Sequence, residues 1–163
     1  MWSAAARRLS RRLGPLGAGL LVAGVLWINW GVGLMLDPRY GTVRGATALT
    51  AVAGICVWGW TWIAAGLLSA ASAFLPNRLT WLGLIPAAGI PSIWAAAYVI
   101  ARTLGQFPQG ATSGLTWLGY PTLLGLLAAA TRRLRLERRQ RHRTEREVAH
   151  LRLTAASTAR GEA

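Results

Sequence analysis

The side chains able to do acid–base, nucleophilic or metal chemistry are few in this chain, and they are scattered. The carboxylates are Asp37, Glu137, Glu145, Glu147 and Glu162, the imidazoles are His142 and His150, and the thiol is Cys56. Proton-transfer catalysis needs groups within hydrogen-bond reach of one substrate. Structural metal sites need several converging donors. One Asp in the first 136 residues and one Cys supply neither, and a single cysteine leaves no internal disulfide. No glycine-rich phosphate loop or metal-ligand spacing is present. The chain is therefore expected to be non-enzymatic, without cofactor, catalytic residues or metal. What stands out instead is 18 basic residues, every one Arg, a net charge of +13, and nine tryptophans.

The distribution of those charges decides the fold class. Residues 13–36, 45–77, 79–101 and 103–131 form uncharged runs of 24, 33, 23 and 29 residues. About 20 predominantly apolar residues in a helix cross roughly 30 Å of hydrocarbon, and a charge at the centre of such a span costs about 2.5–3.5 kcal/mol. A soluble helical domain of this length would instead spread charge along amphipathic faces. The expectation is an all-α, polytopic membrane protein: a bundle of four transmembrane helices with a charged C-terminal cytoplasmic helix. Its parts are a basic cytoplasmic N-terminus over 1–12, a membrane domain over 13–131 with spans near 14–36, 56–75, 80–102 and 112–131, and an Arg-rich tail over 132–163. The first run exceeds the 7–15 residues of a signal-peptide core and has no small-residue cleavage site after it, so it reads as a retained helix despite the "SRRLG" at 10–14.

Four crossings put both ends on one side. That side carries fifteen arginines, against Arg39, Arg44 and Arg102 on the other. Cytoplasmic loops and flanks of membrane proteins are enriched in Arg and Lys, so both termini are expected in the cytoplasm and the protein in the cytoplasmic (inner) membrane.

Tryptophan is then placed by depth. The stretch "CVWGWTWIAAG" sets Trp58 and Trp62 on one helix face and Trp60 on the opposite one. If the second span begins near Cys56, these residues fall at its outer end, where an indole ring is buried while its N–H meets headgroups or water. Trp27 and Trp30 on the first span, and Trp117 and Tyr120 on the fourth, would complete an outer aromatic belt or line a pocket. Residues 42–55 then form a short outer interfacial helix. The alternative is a single long second helix from Ala46, with the tryptophans near mid-membrane. Asp37 and Arg102, both at outer helix ends, are placed to meet as an ion pair, beside a small pocket walled by Trp30, Trp58, Trp62 and Tyr98.

Lipid gives helices little hydrophobic reason to associate, so small residues that permit close approach matter. The third span carries Gly83, Ala87, Pro91 and Ala95 at every fourth place, the second carries Gly66 and Ala70 beside Ala65, Ser69 and Ala73, and the fourth carries Gly125 and Ala129 after Pro121. These stripes either hold one bundle together or face a second copy as a homo-oligomer. Pro86 and Pro91 should bend the third span and free backbone carbonyls that neighbouring groups must satisfy.

The tail "TRRLRLERRQRHRTEREVAHLRL" has few helix breakers, and opposite charges stand four apart at Arg133/Glu137, Glu137/Arg141, Arg141/Glu145 and Arg143/Glu147, supporting a solvated helix. Arg132, Arg133, Arg135, Arg138, Arg139, Arg141 and Arg143 are the expected contacts to anionic lipid headgroups or to a partner. Lipid attraction contributes about 1 kcal/mol per arginine near the surface. Nucleic acid is not expected as a partner, because no aromatic residues interleave with the arginines to stack on bases.

With "WINWGVGLMLDPRYG" leading into "VWGWTWIAAGLL", residues 14–130 resemble small four-helix membrane proteins of actinobacteria and their phages, a likeness that rests on loose motifs and on all-Arg, Ala/Gly/Leu/Trp-rich composition. In layout the chain also resembles a holin: short, with several helices, tight loops and a charged cytoplasmic end. That resemblance implies a non-enzymatic oligomer that permeabilises the cytoplasmic membrane. It transfers no individual residues. The alternative is a membrane anchor or scaffold that presents the Arg-rich helix to anionic lipid or a cytoplasmic partner.

Overall fold

The computed structural model describes residues 2–38, 40–76 and 79–161, with side chains over 13–38, 42–76, 79–138, 140–141 and 143–147. Six helices follow one another and no strand occurs among the described residues: α1 (Trp2–Leu36), α2 (Tyr40–Gly45), α3 (Thr47–Val52), α4 (Ile55–Ser72), α5 (Trp81–Thr103) and α6 (Gly110–Gly161). Three stretches are long and apolar enough to cross a membrane: Leu13–Leu36, Ile55–Ser72 and Trp81–Thr103. Residues 112–131, expected as a fourth span, do not reach the same mean hydropathy. Thr112, Ser113, Thr116, Tyr120, Pro121 and Thr122 dilute the leucines there, and the segment is the first part of the 52-residue α6. Arg39 and Arg78, counted in the charge bias, lie outside the described residues.

Local sequence sets the boundaries. Gly14 adopts φ 64° and ψ 176°, which an L side chain adopts only under strain, and Pro15 disfavours helical geometry at the residue before it. Together they break α1 between its arginine-bearing start and its apolar part. At the end of α5, Gly105 takes φ 71°, while the Gln106 N–H bonds to the Ala101 carbonyl at 2.9 Å and the Gly105 N–H to the Arg102 carbonyl at 3.0 Å. This paired closure satisfies carbonyls that a helix end otherwise leaves bare. Residues 42–55 do not make one helix. They form the end of α2, all of α3 and an extended break at Ala53–Gly54, so α4 starts at Ile55 rather than running on from Ala46.

By contact the chain divides into two units, residues 1–127 and 128–163. In the first, α1 and α4 pack antiparallel through a repeating seam. A Cβ on Gly24 would lie 2.6 Å from the Gly66 carbonyl oxygen, and one on Gly66 would lie 2.6 Å from that of Gly24. Gly31 and Gly59 oppose each other in the same way at 2.5 and 3.0 Å, and Gly17 meets the Ala73 carbonyl at 3.1 Å. Each set recurs every seven residues, as a left-handed helix pair requires. Gly83 of α5 packs on Ser69 and Ser72 of α4, and the Ser69 hydroxyl donates to the Ala65 carbonyl at 2.7 Å and the Gly83 carbonyl at 3.1 Å. Gly110 and Gly114 of α6 approach the Tyr98 and Ala95 carbonyls of α5. In the second unit α6 stays helical, and the Arg133 Nε to Glu137 Oε1 pair forms at 3.3 Å between exposed side chains.

Candidate functional site: an aromatic core and an acidic groove

The tryptophans converge inside the bundle. Trp27, Trp62 and Trp94 are 2, 0 and 0 % exposed, and α1, α4, α5 and α6 each contribute a ring. Trp27 stands edge-on to Trp62 with centroids 5.0 Å apart and to Tyr120 at 4.9 Å. Trp62 and Trp94 meet at 5.8 Å, and Trp58 reaches Trp94 at 6.3 Å. Trp117 of α6 touches four indoles: Trp30 at 4.9 Å, Trp62 at 5.4 Å, and Trp27 and Trp94 at 6.2 Å. Aromatic pairs at these separations contribute roughly 0.5–1.5 kcal/mol beyond the area they bury.

This corrects the outer belt. Trp27 and Trp62 face other rings, because the glycine seam brings α1 and α4 close enough for their large neighbours to interleave beside it. Trp30, Trp58 and Trp117 are half-buried in the same cluster, and Tyr120 sits at its edge. Only Trp60 of the α4 trio is turned outward, 61 % exposed, as expected from its place on the face opposite Trp58 and Trp62. Trp94 is the member that sequence reading missed. The available signal was its spacing: Trp94 stands seven residues after Ala87 and three after Pro91, on the same face as the stripe of small residues.

Two indole N–H groups find backbone partners, and sequence chemistry explains the first. Pro91 has no N–H, so it leaves the Ala87 carbonyl without its normal helical donor. Trp27 Nε1 donates to that carbonyl at 3.1 Å, across 60 residues of sequence. Trp58 Nε1 donates to the Leu49 carbonyl at 2.9 Å, which ties α3 to α4. The buried Nε1 atoms of Trp30, Trp62 and Trp94 have no partner among the described residues. Close to this end of α5, Gly45 lies against the Tyr98 ring, and Thr42 and Trp117 are hydrogen-bonding neighbours of its hydroxyl.

The expected ion pair does not form. Asp37 and Arg102 are both exposed, and no salt bridge joins them. The α2–α3 segment, through Gly45 and the fully buried Ala46, covers the Tyr98 end of α5 instead. Nor do Trp30, Trp58, Trp62 and Tyr98 together wall a pocket, since the rings of Trp94 and Trp117 stand against them. A cavity of about 240 Å³ lies instead at the C-terminal end of α1, lined by Asn29, Trp30, Gly33, Leu34, Asp37 and Thr42.

Of the small residues expected to pack, Gly66, Ala70, Gly83, Ala87 and Ala95 lie at helix contacts. Gly125 and Ala129 do not: nothing lies within 4 Å of where a Gly125 Cβ would be, and Ala129 is exposed. Here α6 approaches its neighbours through Trp117 and Leu124 side chains, which hold the backbones apart. Arg132, Arg133, Arg135, Arg138, Arg141 and Arg143 are solvent-exposed on α6, while the Arg139 side chain lies outside the described residues. No group of three His, Cys, Asp or Glu side chains able to hold a metal occurs among the described residues. Comparison of the chain with family models, curated proteins and solved structures found no match.

Proposed function

We propose that this protein is a non-enzymatic, multi-pass protein of the cytoplasmic membrane whose bundle anchors an Arg-rich helix at the anionic cytoplasmic surface. The observation that carries this reading is α6: one helix runs from the uncharged 112–131 through the arginines of 132–146 to Gly161 without an interruption. In this reading 112–131 is the fourth crossing. Its hydropathy is diluted by Thr112, Thr116 and Thr122, but the Thr116 and Thr122 hydroxyls donate to backbone carbonyls one turn back, at 3.0 and 2.7 Å, which lowers their cost in lipid. Four crossings bring both basic ends to the same, cytoplasmic, side.

A second reading, the holin-like oligomer, is favoured by one feature. Gly119 and Gly125 face open space on α6, beside exposed Leu115, Leu118, Leu123 and Leu126, so a second copy could pack there. The anchor is the better supported, because the small residues of α1, α4 and α5 already face one another within the chain.

Reconstitution of the whole protein in dye-loaded vesicles separates the two. The anchor predicts that the dye is retained at every protein-to-lipid ratio. It also predicts that a fluorophore on Thr154→Cys, in a Cys56→Ser background, moves to a less polar environment when phosphatidylglycerol replaces phosphatidylcholine. Dye release rising steeply with protein density, with no response of the tail to lipid charge, would reverse the assignment.

A further inference from the structure

The groove at the end of α1 combines three properties that together select a ligand. Asp37 is the only carboxylate in the first 136 residues of a chain carrying +13, and no basic side chain among the described residues pairs with it. Trp30 presents an aromatic wall to the same cavity, and ring faces attract cations. Finally, α1 ends here. The Asp37 N–H donates to the Gly33 carbonyl at 3.0 Å, Pro38 has no N–H to offer the Leu34 carbonyl, and the helix dipole places partial negative charge at this end. The volume, about 240 Å³, far exceeds the roughly 10–15 Å³ that one water requires. Asn29 and Thr42 add polar groups able to take a hydroxyl or ester oxygen.

We propose that this groove binds a small organic ammonium ion, primary or quaternary, with Asp37 as counter-charge and Trp30 as the aromatic wall. The head group of an aminophospholipid or choline phospholipid and a free amine present the same chemistry. The site does not depend on the tail acting as an anchor.

Choline serves as the probe. Equilibrium dialysis of labelled choline against the full-length protein in maltoside, at ionic strength held constant with sodium chloride, should give saturable binding. Asp37→Asn should weaken it by about tenfold or more, equivalent to 1.4 kcal/mol or more. Gly33→Val offers a second route to the same loss. Its Cβ position has nothing within 4 Å, so the added side chain fills the groove without disturbing packing or charge. Arg102→Ala should bind as wild type does. Repeating the titration in phosphatidylglycerol nanodiscs, with and without phosphatidylcholine, identifies the source: competition by the lipid marks a headgroup site, and no competition marks a site for free amines. Non-saturable binding to the wild type overturns the proposal. So does equal affinity in wild type, Asp37→Asn and Gly33→Val when all three melt at the same temperature.

Discussion

Two contacts within residues 1–127 use small residues to opposite effect. Between α1 and α4, Gly17, Gly24 and Gly31 meet Ala73, Gly66 and Gly59, every partner seven residues from the next, and backbone touches backbone. Along α6, Gly110 and Gly114 close on α5 at the start of the helix, but Gly119 and Gly125 meet nothing, and Trp117 and Leu124 make the contact instead. The difference teaches that a small residue brings helices together only where a partner's backbone comes up opposite it. A stripe read on one helix alone does not say whether it packs.

The comparison can be broken at the seam first. Gly24→Leu or Gly66→Leu places atoms where a carbonyl lies 2.6 Å from Cβ. Since neither backbone can yield, we expect a loss at or above the usual overpacking cost of about 1–3 kcal/mol. Gly125→Leu should change stability by less than about 0.5 kcal/mol, as surface substitutions do. Thermal unfolding in detergent measures both, and equal effects would erase the distinction between the two contacts. Trp117→Ala removes the ring by which α6 joins the cluster and should cost about 3–5 kcal/mol, as large aromatic truncations do. Proteolysis between Gly105 and Gln109 should rise with it.

A finer comparison lies within the cluster. Trp27→Phe and Trp62→Phe remove similar volume, but only Trp27 donates to the carbonyl that Pro91 leaves open. Trp27→Phe should therefore be the worse by about 1 kcal/mol, the net worth of a buried hydrogen bond. Adding Pro91→Ala, which restores a donor to Ala87, should shrink that gap. Ser69→Ala, losing the donation to Gly83, should cost about 0.5–1.5 kcal/mol.

Much of the architecture is legible because membrane-length runs must exclude charge: the run 13–36 coincides with Leu13–Leu36, the run 45–77 contains Ile55–Ser72, and the run 79–101 covers most of Trp81–Thr103. The outward turn of Trp60, against Trp58 and Trp62, follows from helix periodicity. The need of the carbonyls freed by proline for donors was also readable. That Trp27 would be the donor was not, because sequence gives the azimuth of a residue on its own helix and nothing of the partner's register. The same gap hid Trp94 and turned an inward cluster into an expected belt. Asp37 and Arg102 illustrate it at the surface: both lie at helix ends, yet the short α2–α3 segment takes the place beside Tyr98. The 7-residue recurrence of Gly17, Gly24 and Gly31, matched by Gly59, Gly66 and Ala73, is the one signal in the sequence that could have set that register.

The account rests on residues 112–131 crossing the membrane, since this fourth passage brings both arginine-bearing ends to one side. Single cysteines at Pro108→Cys, between α5 and α6, and at Ala156→Cys, in a Cys56→Ser background, test it with a membrane-impermeant maleimide on intact cells. The account predicts labelling at 108 without permeabilisation and at 156 only after it. Labelling of both positions from the same side would contradict it.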